Sequence, residues 1–172
     1  PTSWFQSVNS VFIILFAPFF GAMWIWLAKK NLEPSSPLKF FFGLMAVGAG
    51  FFVMYFAAKI AASGDMAAPT WLIFTYLFHT WGELSLSPVG LSLTTKLAPK
   101  GYQGQMMGVW FLSVSLGNLL AGLIAGEASG GTADALADMP NQYMTIVLTT
   151  FGAALLLLIF NKPIRKLMGN VH

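Results

Sequence analysis

The chain has 172 residues, of which 56% are hydrophobic and 9% charged, with a mean hydropathy of +0.70, a balance that excludes an ordinary soluble domain. The formal charge is +3 and there is no cysteine, so neither a disulfide framework nor a thiolate metal site is available. What remains is an all-α, polytopic membrane protein. Residue 1 is Pro and the first apolar run is too long for a cleavable leader, so no signal peptide is recognised and the chain reads as a piece of something larger.

Five apolar runs are long enough to span, since about 20 residues rising ~1.5 Å each cross the hydrocarbon core. They lie near residues 4–27, 38–61, 69–97, 103–126 and 142–160. The first carries Asn9 close to its start and Pro18 inside it. Trp24 and Trp26 follow, suited to an interfacial belt just ahead of Lys29 and Lys30. Residues 31–37 form a proline-punctuated connector. The second run is rich in Phe and small residues, with Ala46 and Gly50 four apart, a spacing that lets helices approach closely. Lys59 and Asp65 mark its far end. The third run ends in Lys96, Pro99 and Lys100. The fourth repeats the small-residue spacing at Gly117, Ala121 and Ala125, and again at Gly122 and Gly126. Residues 127–140 read as an acidic, glycine-containing loop, and the last run ends at Lys162, Pro163, Arg165 and Lys166. Neither a soluble domain nor a short-period repeat is visible.

Alternating the loops between two sides gathers Lys29, Lys30, Lys39, Lys96, Lys100, Lys162, Arg165 and Lys166 on one face and leaves Lys59 on the other. The positive-inside rule makes the basic face cytoplasmic, with the C-terminus there as well. Five crossings that begin outside then imply an odd number upstream if the full protein begins in the cytoplasm.

The residue to explain is Glu83. A charged group at the centre of a bilayer is unfavourable by about 2.5 kcal/mol or more on insertion scales, so it faces protein or a water-filled cavity. Five residues on, Pro88 lacks an N–H and crowds the Leu84 carbonyl, which predicts a kink and a free acceptor close to the acid. On a helix, Thr75, His79, Glu83, Ser87, Gly90 and Thr94 fall within a stripe of roughly 120°, so one side of the third run is polar and small along its length. For His79 the plainer reading is support, satisfying Glu83 from one turn away. For Glu83 the reading is functional, because a carboxyl has two accessible charge states and a reason is needed for holding one at this depth.

Enzymatic alternatives fail on geometry. His79, Glu83 and Ser87 lie along one continuous helix, and Ser87 occupies no strained nucleophile turn. The only other histidine is His172 at the tail, so no metal or haem site assembles around His79, and the chain reads as neither an enzyme nor a cofactor protein. The basic residues are explained by topology, not nucleic acid. Trp110 and Phe111 fit packing against lipid or helices. Asn9 either bonds across to a neighbouring helix or offers its amide to a polar ligand.

Three groups of residues carry a family resemblance. They are Trp4-Phe5-Gln6-Ser7-Val8-Asn9 with Ala17-Pro18; Glu83-Leu84-Ser85-Leu86-Ser87-Pro88-Val89-Gly90-Leu91 with Thr95-Lys96-Leu97-Ala98-Pro99; and Met107-Gly108-Val109-Trp110-Phe111-Leu112. The sequence resembles the C-terminal half of the proton-dependent oligopeptide transporters of the major facilitator superfamily, the five runs matching the eighth to twelfth helices of a two-bundle transporter. The resemblance implies proton-coupled symport of di- and tripeptides into a bacterial cell across the cytoplasmic (inner) membrane by alternating access, with protons as the coupling ion and no cofactor. It assigns Glu83 to proton coupling and the peptide amino end, where it exchanges partners with a lysine of an N-terminal bundle that this sequence lacks. Asn9 and Ser87 are assigned to peptide binding, Trp110 to a side-chain pocket, and Pro88 with Gly90 to the bend that gates the helix. Ser10 stands where the family commonly has proline, and the family's first-helix motif is missing, so this stretch is not expected to transport by itself. The alternatives are a structural helical subunit of a membrane complex and a related transporter for a non-peptide solute such as nitrate.

Overall fold

The computed structural model describes residues 3–128 and 133–168, with side-chain surroundings for 7–123 and 137–168. Among them are five helices and no strand: α1 (Ser3–Lys29), α2 (Ser36–Ala62), α3 (Thr70–Leu97), α4 (Gln103–Ala128) and α5 (Ala133–Met168). His172 and residues 129–132 of the expected acidic loop lie outside the described residues.

The connections follow from residues that tolerate or favour a positive φ. After α1, Asn31 takes φ 54° and the Leu32 N–H bonds back to the Leu27 carbonyl, a six-to-one closure that satisfies the helix end. Gly64 does the same after α2, at φ 87° with the Asp65 N–H on the Ile60 carbonyl. The turn from α3 to α4 has Gly101 at φ 91° and the Tyr102 N–H on the Pro99 carbonyl. At the start of α2, Pro37 occupies the first turn, where no intrahelical N–H bond is lost.

α5 is longer than its apolar run suggests, with Pro140 and Pro163 both inside it. Residues 127–128 and 133–140, expected as loop, are helical. Proline removes one ladder bond but not the helix when packing holds the neighbouring turns, and Pro140 is buried. α1 is likewise unbroken at Asn9 and Ser10, and α3 continues through Pro88.

α2 lies between α3 and α5, packing on both, and α3 in turn carries α1 and part of α4 on its other sides. α2 can hold two neighbours because its buried positions are largely small: Gly43, Gly48, Gly50, Ala57 and Ala58. Phe151 of α5 fills the gap at Gly48, where a Cβ would come within 2.4 Å of the ring. The tightest backbone approach is between α2 and α3. A Cβ on Gly82 would lie 2.9 Å from the Gly43 carbonyl oxygen, and one on Gly43 would lie 3.2 Å from the Gly82 oxygen. Without a hydrophobic drive between helices in lipid, such contact is what holds them.

α1, α2, α4 and α5 are each long and apolar enough to cross a membrane, whereas α3 has the length, 28 residues, but a more polar composition. Its position explains the difference. A helix covered by neighbours on several sides need not be apolar all round. The small-residue spacing of α4 behaves otherwise, because Gly117 and Gly122 have open space about them and meet no other helix among the described residues.

The Gly43–Gly82 crossing sets a prediction. Gly82→Ala places a methyl against a carbonyl that cannot move without displacing α2, so stability should fall by about 1–3 kcal/mol, the usual result of overpacking. Thermal unfolding of the purified protein in detergent should show this as a lowered midpoint.

Candidate functional site

α3 presents three different sides to its surroundings. On the α2 side, buried Thr75 donates its hydroxyl toward the Trp71 carbonyl at 3.0 Å and the Gly50 carbonyl at 3.3 Å. One turn on, the His79 ring occupies the space above Gly50, where a Cβ would be 2.5 Å from Cδ2, and it packs on Phe51 with centroids 4.6 Å apart. Its Nε2 is buried and makes no hydrogen bond. The sequence suggested that His79 satisfies Glu83, but the structure turns the ring to α2 instead.

On the α1 side the fully buried Thr80 meets Asn9. Its Oγ1 is 2.7 Å from the Tyr76 carbonyl and 2.7 Å from the Asn9 side-chain amide oxygen. One hydroxyl proton cannot serve both acceptors fully. With the amide turned over, Thr80 donates to Tyr76 while Asn9 Nδ2 donates to Thr80, and both groups are satisfied. Phe16 and Trp81 continue the seam edge to face, 6.1 Å between centroids. Of the two roles open to Asn9, the bond across to a neighbouring helix is made, and it fixes the amide within one turn of Glu83.

The third side is open. Glu83 and Ser87 are exposed, and they share an arc of about 60° with Gly90 at 3.6 residues per turn. The expected stripe is therefore divided: Thr75 and His79 go to α2, while Glu83 and Ser87 are uncovered by the other four helices. About 10 Å along the axis from Glu83, the open side ends at Gly90. There α4 meets α3, and the half-buried Trp110 lays its indole on the glycine, so that a Cβ would fall 2.0 Å from Cη2. Thr94 donates back to the Gly90 carbonyl at 2.8 Å, finishing the polar side without reaching another helix.

The arrangement is thus a carboxylate and a hydroxyl in file, with a primary amide anchored beside the upper end and an indole closing the lower. Chemically it offers a charge for a cation, donors and acceptors for amides, and an aromatic wall. Asn9, Glu83, Ser87, Gly90 and Trp110 border one side of α3, whereas His79 does not. Thr80 was missed by sequence reasoning, because nothing in an apolar run announces which threonine will receive an amide from another helix. Gly90 drew notice as a companion of Pro88, but its contact with Trp110 depends on where α4 lies.

Known proteins resemble the chain in sequence and in fold. Residues 1–145 match the family model described as POT family. The chain is 48% identical over its whole length to the peptide transporter YePEPT of Yersinia enterocolitica, of which it covers 34%, and 36% identical over 99% of its length to the di-/tripeptide transporter of Lactococcus lactis subsp. cremoris, of which it covers 33%. It therefore spans about a third of the length of these curated relatives. Among solved structures, a POT family transporter in complex with a thioalcohol-conjugated peptide superposes with a TM-score of 0.80 at 29% identity, covering 92% of this chain and 31% of that one. Sequence and fold together place the chain in the POT family.

Proposed function

We propose that this chain is the C-terminal part of a transporter that moves di- and tripeptides into a bacterial cell with protons, by alternating access, and that the open side of α3 is its contribution to the peptide and proton site. The observation that carries the reading is the exposure of Glu83 in the middle of α3, beside Ser87 and the Asn9 anchor, in a chain otherwise built for lipid. Relatives named as peptide and di-/tripeptide transporters support the substrate class. The peptide-bound POT structure supports it further.

In this reading deprotonated Glu83 attracts a cation, either the peptide ammonium or a lysine of an N-terminal bundle. Protonation removes the attraction and biases the gate, since a ligand shifts a conformational equilibrium only by its differential affinity for the two states. Asn9 offers its remaining amide capacity near the peptide amino end, Ser87 adds a hydroxyl, and Trp110 walls the side-chain pocket. Pro88 and Gly90 are the positions at which α3 would bend as the gate moves. His79 supports from the α2 side by packing. Protons are the coupling ion, and neither a cofactor nor catalysis is involved.

The chain is read as lying in the cytoplasmic membrane with its C-terminus inside. Supporting this, Ser35 Oγ is 3.3 Å from Asn161 Oδ1. That contact brings the connector after Lys29 and Lys30 beside the basic end of α5, as the charge bias requires. Lys39 of the same side is buried, paired with Glu33 and held over the Trp24 ring at 4.9 Å.

Two outcomes test the site in the complete transporter reconstituted in liposomes. Glu83→Gln should abolish accumulation of peptide driven by a pH gradient while leaving counterflow exchange of peptide measurable; accumulation that persists with Gln rules out the coupling role. Thr80→Val keeps the shape but deletes the hydroxyl that anchors Asn9. It should raise the KM for a dipeptide about fivefold, the equivalent of one hydrogen bond, in a concentration series of initial uptake rates.

A further inference from the structure

We propose that Gly90 determines the size of peptide side chain the transporter accepts, by giving the Trp110 indole a recess in α3 to lie in; this rests on the reading of Trp110 as a wall of the substrate pocket. The three atoms nearest a Cβ at position 90 all belong to one edge of the indole: Cη2 at 2.0 Å, Cζ2 at 2.6 Å and Cζ3 at 2.7 Å. The ring edge therefore occupies the space any other residue's Cβ would need. Since carbon atoms rest about 3.5–4.0 Å apart, any side chain at 90 displaces the ring by about 1.5–2 Å.

The direction of that displacement gives the recess its consequence. Gly90 shares the open side of α3 with Glu83 and Ser87, which are exposed. The Thr94 hydroxyl bonds to the Gly90 carbonyl within α3 and so does not reach toward the ring. A ring lifted off Gly90 moves outward from α3, into the space in front of Ser87, where cargo bound at Glu83 extends. Tryptophan has only two side-chain torsions and no slim conformation to absorb the move. Glycine at 90 thus converts a bulky aromatic into a retracted wall and leaves room for a large side chain beside it.

The test is competition by unlabelled peptides against uptake of labelled dialanine in liposomes containing the complete transporter. In Gly90→Ala the ratio of inhibition constants for phenylalanyl-alanine and dialanine should rise about tenfold or more, the scale of discrimination expected from roughly one methylene of lost room. Adding Trp110→Phe, which shortens the ring that is struck, should return the ratio toward its original value. Equal losses for both peptides, or no rescue by Phe, overturn the proposal. If Gly90→Ala does not assemble, the double variant with Trp110→Ala must restore assembly, and failure to do so also overturns it. Trp110→Ala alone separates the two ideas. A ratio it leaves unmoved dismisses Trp110 as a pocket wall, whereas a ratio moved by Trp110→Ala but not by Gly90→Ala dismisses only the recess.

Discussion

The contact between α2 and α3 through paired glycines decides the rest of the arrangement. With Gly43 and Gly82 facing each other, each carbonyl oxygen lies 2.9–3.2 Å from where the other residue's Cβ would be. The rotation of α3 about its own axis is restricted by that requirement, because Val47 and Leu86 already flank the pair, each 2.5 Å from where the facing glycine's Cβ would lie. Once Gly82 faces α2, its neighbour Glu83 points about 100° away, off the buried side. The exposure of the acid thus follows from the smallness of the residue before it. Charged groups inside membrane proteins persist where a cavity or a partner meets them, and here close packing at the adjacent position leaves Glu83 exposed rather than buried against α2.

α3 can bear its polar residues because different neighbours take different ones. Thr75 bonds to Gly50 of α2 and Thr80 meets Asn9 of α1, while Thr94 and Thr95 bond back along their own helix. Buried polar groups are tolerated when paired, and α3 pairs most of its own locally. His79 Nε2 is an exception among the described residues, buried and without a partner. Its ring packs on Phe51 and over Gly50, so the histidine serves as a shape that fills the glycine recess.

Much of this was legible before any coordinates. Helix number, the approximate position of each span and the prominence of Glu83 follow from hydropathy, proline and charge, all properties of residues taken locally. The polar stripe was visible too, but its division was not, since which part of a stripe is covered depends on where other helices cross it. The partnership of Asn9 with Thr80 spans 71 positions in sequence and leaves no local mark. The start of α5 was obscured for another reason. Pro140 and the acidic residues before it read as loop by composition, yet the segment from Ala133 is helical and Pro140 is buried. Tertiary packing overrides a turn signal when the neighbouring turns are held.

The two halves of α3 are restrained by different means. Its upper half is locked to α2 and α1 by backbone contact at Gly82 and by the Thr80 bond, both short-range and intolerant of sliding. Its lower half meets α4, whose residues 111–123 are otherwise exposed, and the indole of Trp110 on Gly90 is the close contact there. Pro88 stands between them, removing the N–H that would otherwise tie the lower half to the Leu84 carbonyl. Glu83 belongs to the half packed through Gly82 and Thr80, and Gly90, with the indole on it, to the half beyond Pro88. The missing Pro88 bond therefore separates the turn that carries the acid from the turn that meets the indole.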